Sequence, residues 1–369
     1  MTGNKKGVTE MPSDSIESFI TSISLIDNQL LDLINQRLEL TLKLGALQKE
    51  KKLETFLYAD EERSIKRLSE LNSGPLDPKK IRILFKNIYS LTQETIKPRR
   101  ISYLGPEATF THIAAINHFG DSAFFLPQPG IRDVFLEVEK ERCDFGVVPV
   151  ENSIEGSVNY TLDLFFESNL KICAEKYLTI SHDLLSKSKK LDEIKVVYSH
   201  PQPIAQCRGW LRKNIPNARI EECKSTSFAA QKVVDIQDAA AIASSEAARI
   251  YNLNVVASRI EDHPNNTTRF LIIGKNESSR TGDDKTSIMF AAAHVPGSLY
   301  KTLEPTATSG INMLKLESRP SKHENWSYFF FVDLEGHIED RKIQDTVSRM
   351  KELCLFLKIL GSYPKSIDT

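Results

Sequence analysis

The first long pattern of apolar positions has a helical period. Ile16, Phe19, Ile23, Ile26, Leu30, Leu33, Ile34, Leu40 and Leu44, with Arg37 in the same series, follow one another mostly at three- and four-residue steps. The series predicts one helix over 13–52, capped by Pro12-Ser13-Asp14. About forty residues at a rise of ~1.5 Å each make a rod too long to hide in a small monomer. A second helix is expected over 60–72, broken by the turn "NSGPLDP", and a third over 79–95. Three helices, one of them so long, suggest an intertwined dimer.

After Lys97-Pro98-Arg99-Arg100, which reads as a linker, the pattern changes. Short β-rich runs, "RISYLG", "FGVVPV", "IKVVYSH", "AAIAS", "NVVA" and "RFLIIG", alternate with helical stretches. That alternation predicts an α/β domain with parallel sheets covered on both faces. Ligands then belong beyond the carboxyl ends of the strands. A second linker, "ESSRTGDD", precedes a module with strands at 286–292, 311–317, 327–334 and 355–360 and helices at 298–309 and 340–353. Its βαββαβ order is that of a small α+β unit, and it carries no acid/base or nucleophilic constellation.

Composition narrows the class. A chain of 369 residues predicts two or three domains. Lys+Arg 48 against Asp+Glu 49 gives a net charge of -1, so nothing draws the whole chain to nucleic acid or membrane. The N-terminus is polar and lacks the apolar core of a signal peptide, and no run approaches the ~18 apolar residues of a membrane span. Five scattered cysteines without a C-x-x-C pair suit reduced thiols and a cytoplasmic location. Eight histidines with no i, i+4 pair lead us to expect no metal, and no cofactor is called for.

The candidate chemistry sits where strands end. In "GPEATFTH", Thr109 and Thr111 fall in the first turn of a helix, where capping alone would explain them. In "PVENSIEG", Asn152 and Ser153 follow a buried run, and capping does not account for Glu151. In "SHPQPIAQC", Ser199 and His200 close a strand, Gln202 and Gln206 follow, and Cys207 reads as a packed thiol. Together these clusters predict one cleft of neutral donors suited to a small carboxylate ligand. There is no Ser-His-Asp order, no phosphate-binding G-x-x-x-x-G-K-[ST] loop and no G-x-G-x-x-G. In "NNTTRFLIIG", strand alternation puts Thr268 and Phe270 on one face, Thr267 and Arg269 on the other.

"YLGPEATFTH", "GVVPVENSIEGSVN", "SHPQPIAQC", "AAIASSEAARIYNL" and "NNTTRFLIIG" occur in the order seen in prephenate dehydratases. The C-terminal "PGSL", "KLESRP" and "GSYPK" resemble their phenylalanine-sensing ACT domain, and the N-terminal helices resemble the chorismate mutase fused to them in the bacterial P-protein. The resemblance implies a helical, dimerising mutase-like domain at 1–97, a two-lobed, periplasmic-binding-protein-like dehydratase domain at 98–277 and an ACT domain at 284–369. It implies conversion of prephenate to phenylpyruvate, CO2 and water in phenylalanine biosynthesis, with phenylalanine as effector and a homo-oligomer of at least two chains.

By the same resemblance Thr268 helps the ring hydroxyl leave. A threonine hydroxyl is too weak an acid to protonate much at neutral pH, so it is read as a positioned hydrogen-bond donor. Thr109, Asn152, Ser153, Ser199 and Gln206 should line the cleft. Arg269 either pairs with a substrate carboxylate or braces the sheet. Ala108 departs from the family's usual glycine. Phenylalanine should bind between paired ACT modules, at Gly297 and Leu299 and at Glu317, Ser318, Arg319 and Pro320.

The mutase resemblance is one of fold more than chemistry. Aligned through "ISLID" and "ELNSGPLD", the family's first-helix arginine falls on Ile20, its lysine on Gln48, and a second arginine on Asp60. Its aspartate falls on Leu57 and its third-helix glutamine on Ile96, while Arg37 and Glu61 remain as a remnant site. A mutase needs several cations around a dicarboxylate, so little mutase activity is expected. Two alternatives are a fully bifunctional enzyme and a non-catalytic amino-acid-responsive binding protein.

Overall fold

The computed structural model describes residues 16–50, 58–96, 98–320 and 328–366. It forms two compact units, Met1–Thr55 and Phe56–Thr369. The first contains α1 (Ile16–Glu50), the predicted rod. Its apolar series stands in the open along its length, from Ile16 at 81 % exposure to Leu40 at 66 %. A helix takes most of its stability from covering such a face, which α1 does not do within its own unit.

The second unit opens with α2 (Tyr58–Leu71) and α3 (Pro78–Ile96). The division between the compact units falls at Thr55/Phe56, within the stretch 1–97 expected to be helical. Polar tethers join α2 and α3 to the chain that follows. Arg99 pairs with the largely buried Glu61 at 3.2 Å, and the Ser90 hydroxyl donates to the Phe119 carbonyl at 3.0 Å. Hydrophobic periodicity carries no trace of such ties.

The first lobe is built from β1 (Arg100–Leu104), α4 (Phe110–Phe119), β2 (Phe124–Gln128), α5 (Ile131–Glu139), β3 (Phe145–Asn152), the short β4 (Gly156–Ser157), α6 (Asn159–Glu167) and β5 (Lys171–Thr179). The chain crosses into a second lobe of β6 (Asp183–Ser186), β7 (Val196–Ser199), α7 (Pro201–Gln206), α8 (Arg208–Asn214), β8 (Arg219–Glu222), α9 (Thr226–Lys232), β9 (Ala239–Ala243), α10 (Ser245–Tyr251) and β10 (Asn254–Ala257). It then returns to the first lobe as β11 (Thr267–Gly274). The sheet orders are β2-β1-β3-β11-β5 and β10-β6-β9-β7-β8.

Both sheets are mixed, where alternation of strand and helix predicted parallel ones. β1 runs parallel to β2 and β3, but β11 is antiparallel to β3 and β5. A strand that re-enters a lobe through a crossover need not follow the βαβ rule. The consequence is functional: the start of β11 lies beside the end of β3, with Thr268 opposite Asn152. A register slip follows at once, Arg269 facing Glu151 and Phe270 facing Pro149, and such bulges re-aim side chains.

The last module is β12 (Asp284–Ala291), α11 (Ser298–Thr308), β13 (Met313–Pro320), β14 (Tyr328–Glu335), α12 (Arg341–Leu353) and β15 (Phe356–Pro364), the predicted βαββαβ order. Its antiparallel sheet runs β13-β14-β12-β15. Met289, Phe331, Leu360 and Tyr363 share one core with Val134, Phe165 and Leu271 of the first lobe. At Gly361 a Cβ would collide with the Ile172 backbone, so the approach of β15 to β5 requires glycine.

Ala108 is strained by conformation, not by crowding. Its φ of 66 is left-handed, and its methyl is buried against second-lobe residues such as Leu185 and Ala247. Glycine would relieve ~1–2 kcal/mol of left-handed strain. It would forfeit about 0.8 kcal/mol of methyl burial and roughly 0.5–1 kcal/mol of backbone entropy. These terms cancel, so Ala108→Gly is expected to shift Tm by less than about 3 °C. Calorimetry checks this, and a gain of 10 °C would contradict it.

Candidate active site

The lobes enclose a cleft of about 250 Å³. Its walls include Thr109, Phe110, Pro149, Asn152, Asn266, Thr268 and Phe270 from the first lobe and its crossings. Thr111, then Ile180 and His182 on one crossing, and His200, Gln202, Pro203, Gln206, Lys224, Ser225 and Thr226 of the second lobe complete them. Thr268 and Phe270 face the cleft, and Arg269 points away from it, as alternation on β11 requires.

The hydrogen bonds of the cleft have a direction that can be read from the backbone outward. The Ile154 and Glu155 N–H groups donate to Asn152 Oδ1 at 3.0 and 3.1 Å. The Asn152 Nδ2 must then be the donor side, and it spends its two hydrogens on Asn266 Oδ1 at 2.7 Å and Thr268 Oγ1 at 2.8 Å. Thr268 Oγ1 is thus an acceptor from Asn152. Among the described residues no protein group takes the Thr268 proton, which is left for a ligand. Asn266 Nδ2 in turn donates to Gln206 Oε1 at 3.3 Å, and His182 Nε2 lies 2.8 Å from the same oxygen. Gln206 Nε2 is buried without a protein partner.

Two fixed backbone N–H groups therefore set a chain of amides along the cleft wall, from the Thr268 hydroxyl through Asn152 and Asn266 to Gln206 Oε1. The Thr268 proton and the Gln206 Nε2 hydrogens are left without a protein acceptor among the described residues. Thr268 itself is only 9 % exposed, which strengthens any hydrogen bond it makes. Lys224 adds a cation to the lining. Burial pushes the His182 imidazole below its ordinary value, so the ring is neutral. Burial likewise pushes the Cys207 thiol up, which makes it a poor nucleophile. Among the described residues no three His, Cys, Asp or Glu side chains gather to hold a metal.

Several expected residues lie elsewhere. Ser199 is fully buried, and its hydroxyl donates to the Ile242 carbonyl at 2.8 Å, bracing β7 against β9 instead of lining the cleft. The Ser153 hydroxyl donates to the Asn265 carbonyl and accepts from the Thr267 N–H at 2.9 Å, stapling the end of β3 to the start of β11. Thr109 lines the cleft, but its hydroxyl also caps α4, accepting from the His112 N–H, and donates to the Leu104 carbonyl at 3.2 Å. Arg269 is not a cleft residue. It pairs with Glu175 at 2.9 Å and Asp333 at 2.7 Å, so of its two expected roles the structure shows the bracing one.

The sequence reading missed Asn266, His182 and Lys224. The signal for Asn266 was present, since it lies two residues before Thr268 at a strand's start. Lys224 follows the polar strand β8, which carries no apolar run.

Of the expected effector residues, Gly297 has left-handed φ and caps α11, while Leu299 packs on the module's core. Glu317, Ser318, Arg319 and Pro320 lie on β13. Glu317 pairs with Lys315 at 3.1 Å and accepts from Ser157, and Lys315 also pairs with Glu151 at 2.7 Å. Arg319 pairs with Asp163 at 2.8 Å and lines, with Pro320 but without Gly297 or Leu299, a separate cavity against α6. In the remnant mutase site, Glu61 is engaged by Arg99, and Arg37 lies on α1 in the other compact unit. Ile20 is exposed, whereas Leu57 and the side chains of Gln48, Asp60 and Ile96 lie outside the described residues.

The prephenate dehydratase family model matches residues 101–278, and that of type II chorismate mutase matches 19–95. The second match gives no support to the expected decay of the mutase. A bifunctional chorismate mutase/prephenate dehydratase of Aquifex aeolicus is 43 % identical over 96 % of this chain and 99 % of its own length. One of Stutzerimonas stutzeri is 41 % identical over the same shares. Among solved structures, prephenate dehydratase from Arthrobacter aurescens in complex with L-Phe is 31 % identical, with a TM-score of 0.66 over 72 % of this chain and 89 % of that one. GqqA, described as a novel type of quorum quenching acylase, is 27 % identical, with a TM-score of 0.67 over 73 % of this chain and 98 % of that one. The chain belongs to the bifunctional chorismate mutase/prephenate dehydratase family.

Proposed function

We propose that the cleft dehydrates and decarboxylates prephenate to phenylpyruvate. The observation that carries this is the Thr268 hydroxyl, which lines the cleft, accepts from Asn152 and so keeps its own proton for a ligand. As the ring carboxylate leaves as CO2, its bonding pair enters the ring and expels the ring hydroxyl, which departs as water once protonated. Aromatisation drives the step. The protein's task is to hold the carboxylates and to place a donor where negative charge grows on the departing oxygen. Gln206 Nε2 and Lys224 suit the carboxylates. Formation of phenylpyruvate from prephenate by the purified chain tests this, and no turnover would favour a binding protein.

The βαββαβ module is read as an ACT domain through which phenylalanine inhibits. The pairs from β13 to Glu151, Ser157 and Asp163 support this reading, since Glu151 precedes Asn152 directly. Inhibition requires phenylalanine to bind the less active arrangement more tightly. The exposed apolar series of α1 supports assembly through the helical segment, in at least a dimer.

For mutase chemistry two observations compete. The family match over 19–95 favours a bifunctional enzyme. The loss of three cations, at Ile20, Gln48 and Asp60, supports a scaffold with little turnover, because each preorganised donor is worth roughly 3–4 kcal/mol. A chorismate-to-prephenate assay decides: turnover at ordinary enzymatic rates establishes bifunctionality, and a rate at least about 10³-fold lower establishes the scaffold.

A further inference from the structure

We infer that His182 is a positioning residue for the reaction: by donating Nε2–H to Gln206 Oε1 it takes up the carbonyl end of the carboxamide and leaves the Nε2 end, which has no protein partner, for the substrate. The inference rests on the reading of Gln206 as a carboxylate-binding residue.

A carboxamide is nearly symmetric in shape, so packing alone does not decide which end faces a ligand. Turned the wrong way, Gln206 would present a carbonyl oxygen to a carboxylate and repel it. Two groups meet Gln206 Oε1: Asn266 Nδ2 at 3.3 Å and His182 Nε2 at 2.8 Å. The Asn266 bond is long, near the limit of a hydrogen bond, so the closer imidazole carries most of the orientation. Since Asn266 must donate, Gln206 Oε1 is the acceptor, and His182 Nε2 bears the hydrogen. Its Nδ1 is buried and has no partner, consistent with a bare lone pair on a neutral ring.

The imidazole is well anchored for this task. His182 is 1 % exposed and packs edge-on against Phe110 at 5.6 Å. Its backbone N–H donates to Glu261 Oε2 at 2.9 Å, and its carbonyl accepts from the Ile260 N–H at 2.8 Å. Those bonds join the two crossings between the lobes. The ring therefore reaches Gln206, on the second lobe, from a segment that joins the lobes. Asn266 reaches the same oxygen from the other crossing.

The test compares kcat and KM for prephenate in three variants of the full chain. His182→Phe keeps a ring against Phe110 but loses the donor, and is expected to raise KM about tenfold while changing kcat less than about threefold, as loss of a uniform binding contact does. His182→Gln restores an amide donor at similar reach and is expected to bring KM back within about threefold of the parent. Gln206→Leu is expected to raise KM at least as far as His182→Phe, and the double variant no further than Gln206→Leu alone. A KM for His182→Phe within twofold of the parent, or no recovery with His182→Gln, overturns the role of His182. An unchanged KM for Gln206→Leu overturns instead the reading of Gln206 itself. Circular dichroism of each variant separates a misfolded chain from a misoriented amide: a recovery seen only as regained folding counts against positioning.

Discussion

Replacing Thr268 with valine is expected to lower kcat for prephenate by about 10²–10³ and to leave KM within a few-fold of the parent. Valine matches threonine in shape, so the buried position stays filled. What is lost is one oxygen, which accepts from Asn152 at 2.8 Å and offers its proton to the cleft. Charge builds on the departing oxygen only as the C–O bond breaks, so the contact strengthens in the transition state and its loss appears in kcat. Asn152 Nδ2 would also lose one acceptor, which adds a smaller stability cost of about 1–3 kcal/mol. Steady-state kinetics and a melting curve separate the two effects.

The second large effect is expected one residue along. Arg269→Leu should destabilise the chain by about 3–5 kcal/mol, because it strips a cation from a buried cluster. Glu175 and Asp333 would remain, 1 % and 8 % exposed in their side chains, with Lys285 2.7 Å from Glu175 and 4.0 Å from Asp333. The Ser287 hydroxyl, which donates to Asp333, and Tyr363 complete the group. Asp333, Lys285, Ser287 and Tyr363 come from the last module, whereas Arg269 and Glu175 come from the first lobe. The loss should therefore loosen the module from the lobe, and a melting transition lowered by roughly 10 °C is the expected readout. A change of under 2 °C would show that the cluster is not structural.

The same cluster gives a sign to pH dependence. Burial by itself would raise the Asp333 carboxyl, but Arg269, Lys285 and the Ser287 hydroxyl outweigh it and hold the group below the usual range. A carboxyl with a depressed folded value contributes stability above its unfolded value, near 3.9, and loses it as pH falls through the folded one. From this group, stability should be flat between neutrality and about pH 5 and decline only in stronger acid.

Much of this architecture was legible because the patterns are local. The period of the α1 residues, the alternation at Thr268 and Arg269 and the βαββαβ order of the last module need only neighbours along the chain. What was not legible depends on partners far away in sequence. The direction of β11 is set by its return across the cleft, and nothing in "RFLIIG" records it. Ser199 and Ser153 look like cleft residues by position, yet each hydroxyl is taken by a backbone group, of Ile242 in one case and of Asn265 and Thr267 in the other. Asn266 is set between Asn152 and Gln206 by partners 114 and 60 residues away. The Arg99–Glu61 pair, 38 residues apart, ties α2 to the chain beyond the "KPRR" linker, a contact that composition does not record.

The central claim is that the Thr268 hydroxyl, oriented by Asn152, assists the departure of the ring oxygen of prephenate. Its most direct test is the rate of phenylpyruvate formation by the parent chain, Thr268→Ser and Thr268→Val under one set of conditions. Serine keeps the oxygen and loses only a methyl, so its kcat should stay within about tenfold of the parent, while valine falls by at least about 10². A parent chain without turnover, or serine and valine variants equally impaired, would contradict the account.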